Sequence, residues 1–162
     1  MLRLNVGTIN KKEGYVNIDV RDELIYDPEL NKCVPIDVVS DARNLPYKNG
    51  EVDEVYSDQM LEHLGRFEYM EALEEWYRVL KVGGKLDLAV PDLRAICIDF
   101  LEHSEKRRGL LQFFYGGQGF NTDYHKTGFT LDILREDLKE IGFRKVSLVS
   151  EKALLVRIEA RK

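Results

Sequence analysis

Carboxylates and glycines recur in this chain wherever a short apolar segment stops. Gly7 follows LRLNV, Asp19 lies near the end of VNIDV, and Asp41 follows VPIDVVS. Ser57–Asp58–Gln59 follows VDEVY, and Asp92 follows KLDLAVP. In open parallel sheets ligands bind at the carboxyl ends of strands. There a glycine lets backbone approach a ligand, and a carboxylate can accept protons from both hydroxyls of a ribose. The chemistry on offer is therefore recognition of a nucleoside; for Asp19 the plainer alternative is capping of a turn. On the acid–base side, the His125 imidazole is a candidate general base, or else a tether for its own loop. Asp92 is a second base candidate, although an aspartate after a strand-ending proline also caps helices. Glu62 and His63 stand at a helix start, where the glutamate gains from the helix dipole and the histidine fits a packed, hydrogen-bonded role.

These residues need strands and helices to hold them. Leu2–Val6, Val16–Val20, Val34–Ser40 and Val52–Tyr56 have the apolar, β-branched character of strands. Phe67, Met70, Leu73, Tyr77 and Leu80 recur at helical spacing, with Glu68, Glu71, Glu74, Glu75 and Arg78 largely opposite. Gly83 and Gly84 are expected to end that helix. Leu86, Leu88 and Val90 then alternate as the next strand, so the unit implies a right-handed crossover in a parallel sheet. Leu93–Leu101 reads as a helix packed through Leu93, Ile96 and Leu101. His103–Arg108 is a charged break, and Gln112–Gly128 reads as a long irregular segment. Thr130 is a candidate cap for a helix whose Leu131, Leu134, Leu138 and Ile141 share a face, ending at Gly142. Closing strands near Lys145–Val149 and Ala153–Glu159 suit an antiparallel hairpin at the sheet edge. Only Thr8 to Gly14 separates the first two strands, too few residues for a crossover of about ten or more.

With 162 residues, 44% of them hydrophobic and 33% charged, the chain fits one domain over 1–162. A net charge of −5 argues against a nucleic-acid partner. No apolar run reaches the roughly 20 residues of a membrane span. Cys33 and Cys97 stand apart without ligand spacing, so neither a metal nor a disulfide framework is expected, and a reducing cytoplasmic setting fits.

SDQMLEHL, followed by a helix, RVLKVGGKL and VPD, resembles the second half of small class I S-adenosylmethionine-dependent methyltransferases, those of the type 11 group. Val82 stands where that pattern usually has proline, and LNVGTIN resembles its LNLGCG turn with Thr8–Ile9 as the departure. The resemblance implies an α/β Rossmann-like fold: a mostly parallel seven-stranded sheet, a C-terminal antiparallel hairpin and a shortened first crossover. It implies S-adenosylmethionine as cofactor, held by Gly7, Thr8, Asp19, Val20, Asp41, Ala42, Ser57, Asp58 and Gln59. Asp19 would take the ribose, Asp41–Ala42 the adenine, and the Ser57–Gln59 turn the methionine half. His125 and Asp92 would serve the acceptor, under a lid formed by Tyr115–Thr130. That acceptor would be a small molecule, such as a sugar or glycan precursor, since HKTG resembles a segment of methyltransferases associated with surface glycans. The rival reading is a non-catalytic protein that keeps the fold as a binding or scaffold subunit. A dinucleotide enzyme is disfavoured by the missing GxGxxG.

Overall fold

The computed structural model describes residues 1–7, 10–21, 24–27, 32–119, 121–152 and 154–162. Its alternating segments pair as one seven-stranded sheet. The strands are β1 (Arg3–Val6), β2 (Val16–Asp19), β5 (Val38–Val39), β6 (Val52–Asp58), β7 (Leu80–Pro91), β8 (Arg144–Lys152) and β9 (Leu155–Arg161), in the order β5–β2–β1–β6–β7–β9–β8. β5 through β7 run parallel, while β9 is antiparallel to both β7 and β8. Strands β3 (Leu24–Asp27) and β4 (Lys32–Pro35) form a separate hairpin. The single strand expected over Val34–Ser40 is thus divided between two sheets. Pro35 has no N–H to continue a ladder. Beyond it, the Asp37 carboxylate accepts the Asn17 backbone N–H at 2.8 Å, a place that a strand partner would otherwise fill.

The period-two pattern separates the faces of the sheet. Leu4, Val6, Ile18, Val55, Leu86, Leu88, Val156 and Ile158 are buried in the core that also holds α1 (Glu68–Val79) and α4 (Leu131–Ile141). The alternate positions are polar. Asn5, Asn17, Glu54 and Asp87 are buried there, and Lys85 Nζ lies 2.9 Å from Glu54 Oε1. Arg157 grips Asp87 with Nε and Nη2 at 2.7 and 2.8 Å. Asn17 also fastens the short first connection, its Oδ1 accepting Lys12 N–H and Asn5 Nδ2–H at 2.8 Å each.

Four helical expectations change. Helix α1 stops at Val79, and Leu80 is already extended at φ −65° and ψ 138°. The double glycine belongs instead to a bulge in β7: pairing jumps from Val52–Leu80 to Glu54–Lys85, and Gly83 has φ +78°. A Cβ on Gly84 would fall 2.8 Å from the Lys81 carbonyl oxygen, so the bulge can close only over glycine. The buried stripe of α1 is Ala72, Leu73, Trp76 and Val79, while Phe67 is 78% exposed at its start. The helix is rotated relative to the expected stripe because Trp76 is drawn inward, its indole N–H donating to the Ala42 carbonyl at 3.1 Å. In α2 (Leu93–Glu102) Ile96 is buried but Leu101 is 72% exposed. The charged break leads into a helix, α3 (Arg107–Tyr115), that packs Phe114 edge-on against Phe100. Helix α4 begins and ends as expected: Thr130 Oγ1 accepts from Ile133 N–H at 3.4 Å, and Gly142 closes it at φ +116°. Among the described residues no helix is long and apolar enough to cross a membrane.

Candidate cofactor site

A cavity of 770 Å³ opens where β1, β2 and β6 end, within the range of about 300–1,000 Å³ usual for small-molecule sites. Gly7, Asp19, Val20, Asp41, Ala42, Asp58 and Gln59 all line it. Ser57 does not; it is fully buried one position earlier, where its hydroxyl donates to the Val6 carbonyl at 3.0 Å and ties β6 to β1. Thr8 and Ile9 lie outside the described residues. His125 and Asp92 do not line this cavity.

Gly7 takes φ +71°, and its N–H donates to the Ile18 carbonyl at 2.8 Å. A Cβ there would overlap the Met60 side chain, 2.0 Å from Cγ. The backbone of this turn is therefore bare toward the cavity by necessity. Asp19, 7% exposed, accepts from Arg21 through N–H, Nε and Nη2 at 2.9, 3.0 and 3.2 Å. Asp41 repeats the arrangement with Arg43, which holds its carboxyl below the usual carboxylate range by direct hydrogen bonding. Arg43 reaches on to Glu68 at 3.0 Å and so anchors the Asp41–Ala42 loop to α1. From the far side Trp76 fixes the same loop through Ala42. Asp58 accepts from the Tyr56 hydroxyl at 2.8 Å, and burial raises that phenol's pKa. Gln59 is held at φ +54° while its N–H donates to Ala89 at 2.8 Å, an unusual conformation for a residue with a side chain.

The cavity also takes in Met60, His63 and Lys126, which the sequence reading left out of the cofactor site. A smaller cavity of 170 Å³ lies nearby, lined by Glu62, Ile96, Phe113, Phe114 and His125 among others. Lys126 borders both cavities. Lys126 and Thr127 donate backbone N–H groups to the Glu62 carbonyl at 2.8 and 3.2 Å, and Thr127 Oγ1 donates to Leu64 at 2.8 Å. These bonds draw the glycine-rich segment over the turn after β6 and set the His125 ring against His63, centroids 4.8 Å apart. Burial lowers the pKa of His63 and pushes the Glu62 carboxyl up to about 8. Asp92 caps α2, accepting from Arg94 N–H at 3.0 Å.

A parallel sheet in this strand order, with antiparallel β9 inserted between β7 and β8 and a cavity at the carboxyl edge, has the Rossmann-like architecture of S-adenosylmethionine-dependent class I methyltransferases. The methyltransferase domain family matches residues 8–88, and the chain belongs to that family. S-adenosylmethionine is the cofactor of this domain, and the bare Gly7 backbone, the buried Asp19 carboxylate and the cavity volume fit it. The fold is shared with a methyltransferase from Archaeoglobus fulgidus at 18% identity and TM-score 0.65, over 99% of this chain and 86% of that one. A methyltransferase from Methanosarcina mazei matches at 18% identity and TM-score 0.65, over 99% and 91%. A possible histamine N-methyltransferase from Thermotoga maritima matches at 19% identity and TM-score 0.53, over 77% of this chain and 63% of that protein. No curated protein sequence matches the chain.

Proposed function

We propose that this protein is a working S-adenosylmethionine-dependent methyltransferase whose acceptor is a small molecule. The observation that carries the reading is the convergence of Gly7, Asp19 and the Asp41–Ala42 loop, from three successive strand ends, on one cavity of ligand size. When bound, the cofactor supplies the electrophilic methyl group, so the protein's part is to align, desolvate and hold protons. Asp19 would accept the ribose hydroxyls, sharing oxygens that Arg21 also contacts. Asp41 would accept from the adenine amino group, while the Asp58–Gln59 turn would meet the methionine end and Ser57 would keep that turn on β1.

On the acceptor side, Nδ1 of His125 lies 2.9 Å from the Phe113 carbonyl, which can only accept. The ring proton therefore sits on Nδ1, and Nε2 keeps the lone pair that can receive an acceptor proton. Asp92 serves this side by holding the start of α2. A sugar or glycan precursor as acceptor rests on the likeness of the HKTG segment alone.

Arg21 on Asp19 is also what a non-catalytic scaffold would show, with the carboxylate satisfied internally. The two readings separate on Asp19→Ala. An enzyme loses roughly 1–3 kcal/mol of affinity for S-adenosylhomocysteine, the cost of unpaired buried polar groups. Unchanged affinity in the folded variant removes Asp19 from the site.

A further inference from the structure

Glu62 is the most anomalous polar residue of the fold. It is 2% exposed, and neither carboxylate oxygen has a hydrogen-bond partner among the described residues. A buried carboxyl left without donors is costly, and natural structures rarely carry one without a ligand to explain it. The two histidines beside it turn their ring protons elsewhere. His63 Nδ1 lies 3.2 Å from the Tyr124 carbonyl, and His125 Nδ1 lies 2.9 Å from the Phe113 carbonyl. Carbonyl oxygens only accept, so both Nδ1 atoms carry the ring protons and both Nε2 atoms keep lone pairs. The cluster therefore gathers two imidazole lone pairs and a carboxyl without a partner. One ligand atom from each falls within 4.8 Å of the others.

We propose that Glu62, His63 and His125 form a binding site for one divalent transition-metal ion of the zinc type, in the wall between the two cavities. Two imidazoles and one carboxylate are a known zinc ligand set, and three protein ligands leave a further position open. The backbone carbonyls of Tyr124 and Phe113 do what outer partners of metal-bound histidines do, fixing the tautomer and the ring direction. Ligand atoms on a tetrahedral zinc ion stand roughly 3.3 Å apart, given bonds near 2.0 Å. Binding would draw together three ligand atoms that already lie within 4.8 Å of one another. A nitrogen-rich set selects zinc, nickel or cobalt over magnesium, which prefers oxygen ligands and water.

The position of the ion gives it a use. His63 borders the large cavity, whereas Glu62 and His125 border the small one, so the open position lies between cofactor and acceptor spaces. An acceptor hydroxyl bound there would have its pKa lowered by the ion. With the ion in place, the lone pair of His125 is a ligand, so the ion would replace that histidine in activating the hydroxyl, whose proton would leave to solvent water. This use rests on the methyltransferase reading; binding of the ion does not.

The test is calorimetric titration of chelator-stripped protein with zinc chloride, with magnesium chloride as control and S-adenosylhomocysteine titrated into the same preparation. The site predicts one equivalent of zinc and no competition from magnesium. Glu62→Gln, which keeps the shape of the buried side chain, and His63→Gln should each weaken zinc more than roughly 100-fold, beyond the loss of an outer partner. His103→Gln, at the far end of α2, should leave zinc binding unchanged. Folded protein that binds S-adenosylhomocysteine but no zinc overturns the metal site and spares the methyltransferase reading. Zinc binding that falls with His103→Gln and survives both Glu62→Gln and His63→Gln overturns it as well. One equivalent of zinc without S-adenosylhomocysteine binding supports the metal site and counts against the cofactor reading.

Discussion

Replacing Gly7 by alanine probes the turn on which the cofactor site is built. Two costs can be worked from the structure. The residue sits at φ +71°, where a side chain costs roughly 1–2 kcal/mol. The new methyl would also stand 2.0 Å from Met60 Cγ and 2.8 Å from its Cβ, so Met60 must move. Overpacking of this kind costs about 1–3 kcal/mol, giving roughly 2–5 kcal/mol in all. A domain of this size loses about 2–4 °C of melting temperature per kcal/mol, so the midpoint should fall by roughly 4–20 °C. The assay is denaturant and thermal unfolding of Gly7→Ala in wild-type and Met60→Ala backgrounds. Met60→Ala removes the closer contact and should return most of the packing cost, leaving chiefly the backbone cost. A loss below about 0.5 kcal/mol in Gly7→Ala, the scale of an ordinary surface change, would refute the strained, bare turn. An identical loss in both backgrounds would refute the Met60 contact as its partner.

Other sites make separate claims. Trp76→Phe removes the N–H that holds Ala42 and should cost about 1–3 kcal/mol of stability. Because that loop lines the cavity, the variant should also bind S-adenosylhomocysteine more weakly; unfolding curves and titration of one sample check both. Asp87→Asn strips the carboxylate from the Arg157 fork and from nearby Lys85, 3.6 Å away. Breaking a fully buried pair costs about 3–5 kcal/mol. With Arg157 36% exposed, the loss should be about 1–3 kcal/mol and shrink in high salt, as chemical denaturation at two ionic strengths would show.

What was legible in the sequence followed from strong local signals. Strand alternation placed β6, β7 and β9, and Thr130 and Gly142 marked both ends of α4, because caps and glycine stops act over a few residues. Gly7, Asp19 and Asp41 stand in order at strand ends in the sequence, and all three line one cavity. Other features depend on partners distant in the chain. The Gly83–Gly84 pair looks like a helix stop, yet Leu80 pairs with Val52 and turns it into a bulge. Phe67 has the right spacing for burial but loses its place to Trp76, whose indole answers a carbonyl on another segment. Helix α3 is too short and too charged at its start to announce itself, and it forms against Phe100. The proximity of Glu62 and His125 was hidden for the same reason: the 124–128 segment reaches Glu62 through backbone bonds that no side-chain pattern encodes.

The central claim is that the cavity at the carboxyl edge is a cofactor site in working order. Calorimetric titration of the folded protein with S-adenosylhomocysteine, with NAD as a parallel control, tests it most directly. The account predicts saturable one-to-one binding of S-adenosylhomocysteine in the micromolar range and none of NAD. Absence of heat with S-adenosylhomocysteine, from protein shown to be folded and over the same concentrations, would contradict it and leave a methyltransferase fold kept for binding other partners.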